Sequence, residues 1–119
     1  MIDLSHKKLK VWEKSKALVS EVYKLTNELP KSETYGLTSQ MRRALISIIS
    51  NLSEGASQKS NIEKKRFFEI SRLSLVELDS QIEISINLEL LFNKEIEFLK
   101  ILANEIFAML SNLIKRYEI

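Results

Sequence analysis

Gln40, Arg43, Ser47, Asn51 and Glu54 recur at spacings of three and four, so on a helix they share one face. A row of amide, guanidinium, hydroxyl and carboxylate groups can bind a polar partner, or its members can satisfy one another inside a core. Their types are not the lysine–glutamate mixture of an ordinary solvated stripe. Folding the flanking helices about a turn near residue 58 sets Arg43 opposite residues near 73, with Glu77 one turn on. The expectation is an Arg43–Glu77 ion pair with Gln40 and Gln81 completing its hydrogen bonds, and Glu54 opposite the Ile62–Lys65 turn. Gln40, Arg43, Asn51, Glu54, Glu77 and Gln81 thus form the candidate polar cluster.

A second set of residues has the chemistry to meet phosphate. Arg42, Lys59, Lys64, Lys65, Arg66 and Arg72 lie in a middle segment, residues 36–72, with seven Lys/Arg against three acids. Residues 73–119 hold four against eight, so a +4 segment precedes a −4 segment in a chain of net charge +2. The basic segment can meet nucleic acid, or it can meet the acidic one, in the same chain or a neighbouring copy. The second reading is preferred. Trp12 and Tyr35 could stack on bases, but both are read as packing residues.

Catalytic chemistry finds little support. A di-metal bundle needs Glu-x-x-His motifs facing inward, and the one histidine is His6, near the N-terminus. There is no cysteine, so disulfides and thiolate metal sites are excluded. The chain has no P-loop, no dinucleotide glycine pattern and no paired nucleophile and base. No enzyme activity, cofactor, metal or small-molecule substrate is expected. Without a signal peptide or a long apolar run, a cytoplasmic protein with no membrane partner is expected.

These residues must be positioned by helices. Two glycines and one proline in 119 residues argue against a turn-rich β protein. Helical periodicity predicts four segments, at about residues 5–29, 34–54, 61–91 and 94–117. Pro30 stops the first. Ser32 or Thr34 is the expected cap of the second, and Gly55 its C-terminal glycine. Ser60-Asn61-Ile62-Glu63 fits a capping box, and Asn93 should cap the fourth. Short connections between long helices give an all-α, antiparallel up-down-up-down four-helix bundle of one domain.

The third segment has more apolar surface than one bundle needs. At 100° per residue, Phe68, Leu75, Ile82 and Ile86 lie on one side. Ile70, Leu73, Ile84, Leu88 and Leu91 lie roughly 160° away. Surface of this kind marks an interface, and a subunit contact is expected.

Motifs spread over most of the chain resemble the 23S rRNA intervening-sequence protein family. They are Leu9-Lys10-Val11-Trp12, then Glu33-x-Tyr35-Gly36-Leu37-x-x-Gln40-x-Arg42-Arg43-Ala44, Ser47-Ile48, Asn51, Glu54-Gly55, Phe67-Phe68 and Ser74-x-x-Glu77. Ser53 and Leu73 depart mildly from the family pattern, where smaller residues are usual. The resemblance implies a bacterial four-helix bundle that assembles as a homopentameric ring. It brings no settled activity, although a related group of retroelement accessory proteins binds nucleic acid. The function expected is therefore a non-enzymatic oligomer with a structural or protein-interaction role. The alternative is RNA or DNA binding through basic residues displayed on a ring.

Overall fold

The computed structural model describes residues 1–118. It is all-α: α1 is Lys10–Asn27, α2 is Leu37–Ser57, α3 is Asn61–Asn87 and α4 is Glu97–Arg116. Short 3₁₀ turns at Ser5–Lys8, Lys31–Glu33 and Asn93–Ile96 precede α1, α2 and α4. No strand occurs among the described residues, and no helix among them is long and apolar enough to cross a membrane. The four helices close on one core. Leu18, Val22, Met41, Leu45, Ile48, Leu52, Ile106 and Leu110 are all fully buried in it.

Helix ends depart from the sequence expectation for identifiable reasons. α1 begins at Lys10 rather than Ser5, because Leu9 is extended and His6 turns inward to pack edge-on against Trp12. α2 is capped by neither Ser32 nor Thr34. Glu33 Oε1 instead accepts the Leu37 N–H at 3.1 Å, reaching past Gly36. A Cβ at Gly36 would lie 2.6 Å from that same oxygen, so the glycine leaves room for the cap.

Gly55 does not end α2. It is helical and buried, and the helix runs two residues further to Ser57. A Cβ there would lie 2.8 Å from the Phe68 ring and 3.1 Å from the Phe67 Cβ. The glycine therefore serves close approach of α3, not a left-handed turn. Ser60 does cap α3, accepting the Glu63 N–H at 3.3 Å.

α3 stops at Asn87, short of the expected Leu91. Glu89 is left-handed at φ 59°. The Leu90 N–H reaches back to the Ser85 carbonyl and the Glu89 N–H to that of Ile86, both at 2.9 Å. That pair of bonds is a Schellman motif with glutamate where glycine is usual. It turns the chain sharply enough to bury Leu91. Asn93 does not cap α4 with its side chain. It opens the 3₁₀ turn instead, and Ile96 holds the N-cap position.

Two outcomes follow from these backbone positions. Gly55→Ala gains about 1 kcal/mol of helix propensity but overpacks against Phe68, a loss of about 1–3 kcal/mol. The net expectation is a lower melting temperature. Glu89→Gly relieves the left-handed strain and should stabilise by about 1 kcal/mol in urea unfolding.

Candidate functional site

The six candidate phosphate contacts do not form one free cluster. Arg42 sits where α2 passes the end of α1. Its Nε donates to Thr26 Oγ1 at 2.9 Å and its Nη2 to Asn27 Oδ1 at 3.0 Å, with the guanidinium 4.3 Å from the centre of the Tyr23 ring. Arg72 Nη1 donates to Ser111 Oγ at 3.0 Å, tying α3 to α4, and the guanidinium lies 5.7 Å from the Phe107 ring. Lys64 Nζ donates to the Ala56 carbonyl at 3.0 Å, covering a carbonyl left open in the last turn of α2. Arg66 pairs with Glu63 at 3.2 Å on its own helix. Lys59 is exposed and Lys65 half-buried. Three of the six are thus clamps of the fold, and Arg42 lies most of a helix length from the Lys59–Arg66 turn.

The polar row divides in two. Its inner members form a directed chain of hydrogen bonds across the α2–α3 seam. Asn51 Nδ2 donates to Ser47 Oγ at 3.1 Å and to the Ser47 carbonyl at 2.9 Å. The Ser47 and Ser74 hydroxyls meet at 2.7 Å, and Ser74 Oγ donates to the Ile70 carbonyl at 3.0 Å. Because the Ser74 proton is committed to Ile70, the Ser47 proton must go to Ser74. One turn away, Ser71 Oγ donates to the Ile48 carbonyl at 2.6 Å.

The outer members remain in solvent. Gln40, Arg43, Glu54 and Glu77 are exposed. The expected Arg43–Glu77 ion pair is not formed within the chain. Among the described residues the ion pairs are Lys14–Glu105 at 2.7 Å, Lys24–Glu21 and Arg66–Glu63. Gln81 does meet Glu77, its Nε2 donating to Oε1 at 3.2 Å, but Gln40 does not complete a network with them. The expected register, folded about residue 58, set Arg43 opposite residue 73. The observed one, with Ser47 on Ser74 and Ile48 on Ser71, brings Arg43 level with Glu77, but both side chains are exposed and do not meet.

The apolar surface of α3 also divides in two. Phe68, Leu75 and Ile82 enter the core. Leu73, Ile84 and Leu88 point outward, at 66%, 49% and 56% exposure. Leu91 lies beyond the helix end and is buried rather than part of that row. Ile46 on α2 is exposed as well, and Tyr35 is 96% exposed, so it is no packing residue. It lies in the turn before Gly36, outside any helix face that the core would cover. Trp12 is half-buried on the core, as its position in the apolar stripe implies.

A groove the sequence did not reveal runs between α3 and α4, with a volume of about 570 Å³. Leu75, Leu78, Ile82, Ile96 and Leu99 line its floor, and Asp79, Glu83 and Glu97 stand at its edges. Among the described residues three titratable groups are perturbed, each beside a like charge, and the Met1 amino group is lowered by Lys7. His6 is held below its ordinary pKa by burial and then by the Lys7 charge. Glu95 is raised by burial and then by Glu28. No group of three or more metal-ligating side chains is gathered among the described residues.

Gly55, Ser47 and Ser74 of the seam fall within the motifs quoted above. A model of the 23S rRNA-intervening sequence protein family matches residues 7–112. The chain belongs to that family. No curated protein matches it. In this member of the 23S rRNA-intervening sequence family, the Arg42-Arg43 pair carries two different jobs. Arg42→Ala removes two charge-assisted bonds from a half-buried position and should cost about 1–2 kcal/mol. Arg42→Lys should recover little, because one ammonium cannot reproduce the planar fork. Arg43→Ala should stay within about 0.5 kcal/mol of wild type. Chemical denaturation of the three variants separates these outcomes.

Proposed function

We propose that the protein is a non-enzymatic interaction module that works by joining copies of itself. The bundle runs up-down-up-down, and its outward row on α3 is the contact surface. The observation that carries this reading is the exposure of Leu73, Ile84 and Leu88 on a helix whose opposite side already fills the core. The row is about 22 Å long from residue 73 to residue 88 at 1.5 Å per residue, a length suited to helix-on-helix association. Ile46 on α2 adds apolar area. Arg43 and Glu77 stand exposed and take part in no ion pair among the described residues, so a second copy can supply each with the opposite charge. A homopentameric ring is the proposed assembly.

The alternative, RNA contact, is supported less well. Arg42, Lys64 and Arg72 are engaged within the fold, which leaves Lys59, Lys65 and Arg66 near the α2–α3 turn. A ring would repeat that short cluster and strengthen it by multivalency.

Light scattering on the purified protein tests the main reading. The wild type should run at a multiple of its 13.8 kDa chain mass. Leu73→Glu with Ile84→Glu should give a monomer of unchanged helicity, since both side chains are exposed. A wild type that stays monomeric at every concentration would sink the proposal.

A further inference from the structure

We propose that the groove between α3 and α4 is a docking site for a basic amphipathic helix of a partner protein. Its floor is apolar and continuous with the core, since Leu75, Leu78, Ile82 and Leu99 are all buried beneath it. The α3 wall from Leu75 to Glu83 is about 12 Å long at 1.5 Å per residue. That is two helical turns, the length over which a docked helix presents apolar anchors at i, i+4 and i+7. Phe107 closes one end, held there by the Arg72 guanidinium against its ring.

The edges specify the sign of the partner. Asp79, Glu83 and Glu97 face a single cation, Lys100. None of the three carboxylates takes part in an ion pair among the described residues. Asp79 and Glu83 stand one turn apart on the same helix, a like-charge arrangement that disfavours the helix until a cation lies between them. A volume of about 570 Å³ falls in the range of sites that bury a ligand against apolar walls with a few polar groups. A second copy of the chain fits less well. Its exposed α3 row carries Glu77 between Leu73 and Ile84, and so brings acid to an acidic rim.

The test uses the full chain and a fluorescent helical peptide with one leucine face and one lysine face, alongside a leucine–glutamate counterpart. The leucine–lysine peptide should bind saturably and more weakly as salt rises. Neutralising the rim with Asp79→Asn, Glu83→Gln and Glu97→Gln together should weaken it about tenfold, the combined effect of three exposed charge pairs. Ala103→Trp, which fills the groove from α4, should abolish binding. Equal binding of the glutamate peptide overturns the proposal, as does undiminished binding by either variant. A change in assembly mass caused by Ala103→Trp would also overturn it, because a second copy would then be the occupant. If circular dichroism shows that the tryptophan variant does not fold, the rim variant decides alone.

Discussion

The close seam between α2 and α3 is the constraint on which the other features depend. Gly55 lets the Phe68 ring lie where a Cβ would otherwise be. Ser71 and Ser74 on α3 and Ser47 on α2 keep the two backbones near enough for a hydroxyl on one helix to bond a carbonyl on the other. A large side chain at any of these places would push the helices apart. It would also strand a buried polar group, at a cost of about 1–3 kcal/mol. The seam fixes register as well as distance, because the Ser47–Ser74 and Ile48–Ser71 pairs cannot both form if α3 slides by a turn. Everything that α3 presents elsewhere follows from that register.

Much of this was legible in the sequence, and most of what was missed has a common cause. Four helices, the Ser60 cap and the two-sided apolar character of α3 are written in local spacing, and periodicity reads local spacing well. Gly55 was misread because a glycine after a polar run resembles a stop. Its real partner, Phe68, is reached only after the chain has turned. Glu89 gives no local signal at all, since the left-handed backbone belongs to a residue type that seldom adopts it. Arg42 and Arg43 are neighbours of identical type. Their different fates are set by a 100° rotation and by where α1 ends, at Thr26 and Asn27. The Arg43–Glu77 pair fails for another reason: the seam brings the two residues level, but both side chains lie on its solvent side and do not meet.

The charges tell a similar story. A segment of net +4 invites a phosphate reading, but a guanidinium half-buried against Tyr23 or Phe107 is already committed. Arg42 joins α1 to α2, and Arg72 joins α3 to α4. Lys14 joins α1 to α4 through Glu105. Each helix pair outside the seam is thus tied by a long cation, whereas the middle of the seam is held by short hydroxyls and only its turn end by a cation, Lys64 on the Ala56 carbonyl. The distribution is what close packing requires. Where backbones approach, only serine and glycine fit, and where helices stand further apart, arginine and lysine can span the gap.

The groove is the complement of the seam. α3 has apolar side chains in more directions than its neighbours can cover. Drawing it tightly onto α2 leaves less of it for α4. The Schellman turn at Glu89 then sends the chain back through Leu91 and a 3₁₀ turn, so α4 begins only at Glu97. The first half of α4 therefore packs Leu102 and Ile106 into the core but borders a gap on its α3 side, with Ile96 and Leu99 at its floor and Lys100 and Asn104 at its rim. Leu73, Ile84 and Leu88 are left on the remaining side. One helix thus serves as core, groove wall and outward apolar row, and its tight attachment to α2 decides which residues play each part.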